Sequence, residues 1–125
     1  MRYTGQAERT ASGKEGFAMM KLVRGDGEIR AVLSGEIDHH SARELRAELD
    51  AALCDMAPRL LVLDFGGVTF MDSSGVGLIM GRYKLMQTFG GEVAGENAPP
   101  RIERMLRLSG VGQLAQIRPG KGNDE

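Results

Sequence analysis

Between Leu60 and Phe89 the sequence passes from an aliphatic run, through a turn rich in glycine and hydroxyls, into a helical pattern. The rest of the chain has to pack around that unit. Leu60-Leu61-Val62-Leu63 is bounded by turn residues, which suggests a strand ending near Phe65. Such a run is typical of a strand buried on both faces, as in a parallel sheet with helices on either side. Asp72-Ser73-Ser74-Gly75 then stands where a helix begins. Val76, Ile79, Met80, Tyr83 and Met86 mark the apolar face of this second helix, and Gly90-Gly91 stops it. Its first N–H groups have no intrahelical partner and carry the positive end of the dipole, so Ser73 and Ser74 lie in a natural seat for an anion. Gly77 and Gly81, one turn apart, each weaken the helix by about 1 kcal/mol relative to alanine, a cost that close packing or the close approach of a partner would offset.

The flanking segments supply the remaining layers. Phe17–Val23 and Glu28–Ile37 are strand-like runs joined through Asp26-Gly27, a strong hairpin signal. Ser41 with Glu44 reads as a capping box, and Ala42, Leu45, Leu49, Ala52 and Leu53 recur at helical spacing, giving helix one over about Ala42–Cys54. Glu92–Asn97 is a weak strand, because Gly95 is a poor strand residue. Pro99-Pro100 opens a third helix with Ile102, Met105 and Leu106 inward, Gly110 closes it, and Leu114–Ile117 forms a last short strand. The order β-β-α-β-α-β-α-β implies an α/β fold in which helices pack on a mixed, largely parallel sheet that starts with a β-hairpin.

Composition bounds the function. With 125 residues and 42% hydrophobic content, one core is expected, over residues 17–118. Residues 1–16 are polar and lack the apolar core of a signal peptide, so they are expected to be a disordered extension, with Met19 or Met20 as candidate start; residues 119–125 read as a flexible tail. Sixteen Lys+Arg against 17 Asp+Glu give no net field for nucleic-acid or membrane-surface binding. The lone Cys54 cannot form an internal disulfide, and no apolar run approaches the roughly 18 residues of a membrane helix, so a cytoplasmic setting is expected.

Sites on open α/β sheets collect beyond the carboxyl ends of parallel strands. Strands ending near Ile37 and Phe65 would bring Asp38, His39 and His40 beside Asp72, Ser73 and Ser74. In a purely structural reading Ser73 or Asp72 caps helix two and the histidines are surface loop residues. In a functional reading one hydroxyl accepts a group. A serine hydrolase is disfavoured because the G-x-S-x-G elbow is absent. The glycines at 75, 77 and 81 do not match the dinucleotide fingerprint, no phosphate-binding Gly-Lys-Ser/Thr loop is present, and any ATP chemistry must come from elsewhere. Two adjacent histidines with no accompanying Cys or further His do not make a metal site.

Gly35-Glu36-Ile37-Asp38-His39-His40, Phe70-Met71-Asp72-Ser73-Ser74-Gly75-Val76-Gly77, Gly81-Arg82-Tyr83-Lys84 and Leu108-Ser109-Gly110-Val111 together resemble the anti-sigma factor antagonists of the STAS superfamily, most closely the sporulation anti-sigma F factor antagonists. The likeness runs from about Met19 to Ile117. It implies a STAS-type fold and a regulatory binding protein without catalytic activity or cofactor. It further implies that Ser74 is the phosphoacceptor of a partner that is both anti-sigma factor and ATP-dependent serine kinase. The unphosphorylated form would bind that partner, with its ATP or ADP, and free the sigma factor, and a serine phosphatase would restore it. Asp38 would lie near the phosphosite, and His39, His40, Asp72, Ser73, Gly75, Gly77, Leu78 and Arg82 would complete its surroundings and the partner surface. No direct DNA or membrane contact is implied.

Members also carry an amphipathic C-terminal helix, whereas this sequence finishes in the polar run Arg118–Glu125. Uncovered apolar surface is therefore expected, to be covered by the segment before Phe17 or by self-association. The alternative function is a STAS-like module that binds a small ligand or nucleotide at the N-terminus of helix two.

Overall fold

The computed structural model describes residues 3–11 and 18–118. Strands β1 (Tyr3–Ala11), β2 (Met19–Gly25), β3 (Glu28–Ile37), β4 (Leu60–Met71), β5 (Glu92–Glu96) and β6 (Gln116–Ile117) form one sheet in sequence order. Strand β2 runs antiparallel to both of its neighbours, β1 and β3, and β3 to β6 are parallel. Helices α1 (His39–Met56), α2 (Ser73–Thr88) and α3 (Pro100–Ser109) make the three crossovers. Because strand order increases steadily from β3 to β6, right-handed crossovers put all three helices on one face. Their apolar sides share a single core with alternate strand residues: Ile29, Leu33, Leu63 and Phe65 meet Leu45, Leu49, Leu53, Ile79, Met86 and Leu106.

Several expectations are met. Gly27, at φ 73°, turns the β2–β3 hairpin, in which Gly25 pairs with Glu28. Gly110, at φ 82°, closes α3, while Pro99 stands at its N-cap and Pro100 in its first turn. Ile102 and Leu106 are buried, and Met105 packs half-buried against them.

Four expectations are corrected. Residues Tyr3–Ala11, read as disordered, form β1 along the edge of β2, with Ala7 to Ala11 opposite Val23 to Met19; a sheet edge offers unpaired backbone groups that a strand of any composition can satisfy. The expected tail at 119–125 lies outside the described residues. Strand β4 does not end near Phe65 but continues to Met71, paired to β3 through two register shifts. Glycine permits this, since a Cβ at Gly67 would stand 2.8 Å from Cβ of Ser34. Helix α1 begins at His39 rather than Ala42, because Asp38, not Ser41, is its N-cap.

The fourth correction concerns the sheet's second face, which carries no helix among the described residues. Val62 and Ala94 are buried there without belonging to the helix-side core. A layer of paired charges crosses β3, β4, β5 and the residue after β6. Arg30 donates to Asp64 at 2.9 Å and to Glu96 at 2.8 Å, and Arg118 donates to Glu96 at 2.6 Å. The alkyl stems of arginines can cover apolar surface while their heads stay paired. Burial pushes the Glu96 carboxyl up, but hydrogen bonds from Arg118 and Arg30 outweigh it and hold the group below its ordinary value. Large apolar side chains left exposed among the described residues are Met19, Phe70, Leu108 and Leu114.

Candidate functional site

Parallel pairing of β3 with β4 sets Ile37 opposite Met71, and Asp72 N–H donates to the Ile37 carbonyl at 3.2 Å. Two helices therefore start side by side at one end of the sheet, each capped by an aspartate. At α1, Asp38 Oδ1 accepts from the amides of His40 and Ser41 at 3.0 and 2.9 Å, and Ser41 Oγ accepts from the Asp38 amide at 3.0 Å. At α2, Asp72 Oδ1 accepts from the Ser74 amide at 2.8 Å. Removing an N-cap carboxylate typically costs about 0.5 to 2 kcal/mol. Asp72→Ala is expected to lower stability by that amount in urea titration without abolishing folding.

The Ser41 amide hydrogen bond leads the effects on Asp38; with the Ser41 hydroxyl, the His40 amide and the charge of His39 it outweighs slight desolvation, so the carboxyl lies below its ordinary 3.8. A depressed folded value means that the cap's contribution is complete above 3.8 and lost as pH falls through the lower folded value. The urea midpoint is therefore expected to fall with acidification in that window, and Asp38→Asn, which still caps, should flatten this part of the curve.

Ser73 and Ser74 face different grooves, as neighbouring residues on a helix must. Ser74 is half-buried and lines a cleft of about 370 Å³ between α1 and α2, together with His39, Ala42, Arg43, Arg46, Gly77 and Leu78. Ser73 is exposed and lines a separate apolar groove against α3, with Val76, Arg101, Arg104, Met105 and Leu108. Gly77 presents open space above its Cα, so the helix surface beside Ser74 is flat and accessible to another chain. Gly75 has the opposite role: it is buried, and a Cβ there would collide with the Met71 sulfur.

Of the residues expected around Ser74, the structure brings His39, Gly77 and Leu78 into its cleft. Asp38 and Asp72 are engaged as caps, and His40 is exposed, 4.0 Å from Glu44. Arg82 lies elsewhere, buried between the helices with its Nε 2.9 Å from Asp50 Oδ1. The approach angle is outside hydrogen-bonding geometry, so the contact is chiefly electrostatic; Arg82 Nη1 also donates to the Leu78 carbonyl at 3.4 Å. Burial lowers the Arg82 pKa, Asp50 raises it and Arg46 lowers it again, with a net lowering that leaves a cation. Asp50→Ala is expected to cost about 1 to 3 kcal/mol in urea titration, because it strands the guanidinium away from water. Arg82→Met should cost less, since Asp50, with its side chain 37% exposed, can be hydrated when alone.

The residues that sequence reasoning missed are Arg43 and Arg46. With His39 they sit at i, i+4 and i+7, one stripe of α1; extending the helix upstream to its Asp38 cap would have revealed that stripe. Among the described residues no cluster of three metal-ligating side chains occurs, and no helix is long and apolar enough to cross a membrane.

Comparison with known proteins agrees with this fold. The family described as "Mlab, STAS domain" matches residues 20–118. The anti-sigma F factor antagonist of Paenibacillus polymyxa is 40% identical over 91 residues, covering 73% of this chain and 78% of that protein. The solved structure of the anti-sigma factor antagonist SpoIIAA in its unphosphorylated form superposes with a TM-score of 0.72 at 27% identity, over 84% of this chain and 90% of that one. The Bacillus cell fate determinant SpoIIAA in its phosphorylated form gives a TM-score of 0.66 at 27% identity, over 84% and 94%. Proteins of this kind are regulatory binding proteins rather than enzymes. On its match from 20 to 118, its parallel sheet with paired aspartate-capped helices and its identity to these relatives, the chain belongs to the STAS-domain family, among the anti-sigma factor antagonists.

Proposed function

We propose that this protein binds an anti-sigma factor which is also a serine kinase, thereby freeing a sigma factor, and that phosphorylation of Ser74 ends the association. The observation that carries the reading is the placement of Ser74. Its amide is held by the Asp72 cap, and its side chain lies on a cleft open to solvent beside a helix surface that Gly77 leaves bare. The backbone at Ser74 is thus fixed, while its hydroxyl stays reachable by an active site in another chain. The similarity to SpoIIAA in both its unphosphorylated and phosphorylated forms supports the same reading.

In the transfer, an O–P bond forms between Ser74 Oγ and the γ-phosphorus of ATP while the bond to the β–γ bridging oxygen breaks. ADP leaves, and the hydroxyl proton passes to a base of the kinase. This chain contributes position only. A serine phosphatase would return the free hydroxyl, and the cycle would run in the cytoplasm during a developmental programme such as sporulation. The test is intact mass after incubation with the cognate kinase and ATP. One added phosphate on the wild-type chain and none on Ser74→Ala is expected, whereas modification of Ser74→Ala would move the site to another residue.

A further inference from the structure

We propose that the cleft between α1 and α2 is a cradle for the phosphate on Ser74, gripped by Arg43 and Arg46. The inference rests on the reading of Ser74 as phosphoacceptor and adds what happens to the group once attached. Arg43 and Arg46 project from one stripe of α1 into the cleft that Ser74 lines from α2, and His39 stands on the same stripe. Among the described residues neither arginine has an ion-pair partner. The nearby acids are committed elsewhere: Asp38 and Asp72 to their caps, Asp50 to Arg82. Among the described residues no carboxylate lines the cleft. Two uncompensated guanidiniums thus face a serine across a volume able to hold a phosphate.

Guanidinium forks match phosphate oxygens, and such bonds are charge-assisted. A phosphoserine carries about −1.5 to −2 charges at neutral pH, close to the opposite of the two arginines. Phosphorylation therefore turns a cationic cleft into a nearly neutral one and occupies both arginines. A partner that meets this face loses two cations as well as meeting a new anion.

The test installs phosphoserine at position 74 of the full chain by codon suppression, so that no kinase is needed, and follows the phosphorus resonance against pH. The cleft presents His39, Arg43 and Arg46 from α1, and the nearest carboxylates are the caps Asp72, before α2, and Asp38, before α1. Opposing charge favours the dianion, so its proton affinity is expected to be about tenfold lower than in the Arg43→Gln/Arg46→Gln chain. Both substitutions lie on exposed helix positions, where they do not threaten folding. The Arg43→Lys/Arg46→Lys chain should fall between, retaining charge without the fork. The same comparison in a His39→Gln background removes the imidazole from the curve. Superimposable titrations of the arginine and glutamine chains would overturn the cradle, even with Ser74 a proven phosphosite. Absence of added mass in the kinase experiment would overturn both readings. Saturable binding of inorganic phosphate by the unmodified chain, lost in the glutamine variant, would reassign the cleft to a free anion.

Discussion

Ser74→Asp is expected to bind the cognate anti-sigma kinase about a hundredfold more weakly than Ser74→Ala, with near-native circular dichroism in both. Ser74 is half-buried at the mouth of a cleft, one position inside the first residue of α2. A carboxylate there is tolerated within the chain, because a helix N-terminus favours an anion by about 0.3 to 1 kcal/mol and two arginines stand opposite. At the interface the same group must shed water. It also adds to the negative charge of Asp72 and of any nucleotide on the kinase. A loss of about 3 kcal/mol corresponds to roughly a hundredfold in affinity. Ser74→Ala keeps a neutral surface and cannot be modified, so it should bind constitutively. Calorimetric titration of both variants with the kinase and ADP decides the matter. Equal affinities would sink the switch, and global unfolding of Ser74→Asp would show that the position belongs to the core.

Phe65→Ala is expected to lose about 3 to 5 kcal/mol of stability, the usual cost of emptying a buried aromatic site. Phe65 is fully buried and is among the largest side chains of the core. It sits in β4, the strand that leads into α2 and Ser74, and its ring lies over Gly95 of β5, where a Cβ would stand 3.4 Å from Cε2. The glycine that makes β5 a poor strand on propensity is thus the space the ring occupies. A domain's whole stability is about 5 to 15 kcal/mol, so this one change removes a large fraction of it. Urea unfolding should show a lower midpoint with an unchanged slope. A loss below about 1 kcal/mol would mean that the ring is not packed as described.

Local chemistry along the chain determined much of the outcome. The hairpin at Asp26-Gly27, the stops at Gly90 and Gly110, the proline start of α3 and the apolar periods of α1 and α3 depend on neighbours within a few residues, and each was legible; of the face expected on α2, Ile79 and Met86 are buried, Val76, Met80 and Tyr83 are half-buried, and the buried Leu78 was missed. So was the arrival of the Asp38 and Asp72 segments at one end of the sheet, because parallel strands with crossovers align their carboxyl ends. Three things were settled only by tertiary contact. Strand β4 runs through two glycines to Met71 because β3 continues beside it and Gly67 lets Ser34 come close, a constraint with no trace in local propensity. Arg82, read as a surface residue of the site, is drawn inside because Asp50 of another helix offers its charge there. The Ser74 cleft acquires Arg43 and Arg46 from α1, residues about 30 positions away that no local pattern links to a serine on α2. Periodicity specifies which face of an element is buried, but the angle and register at which two elements meet decide which side chains share a space, and those depend on packing summed over the whole core.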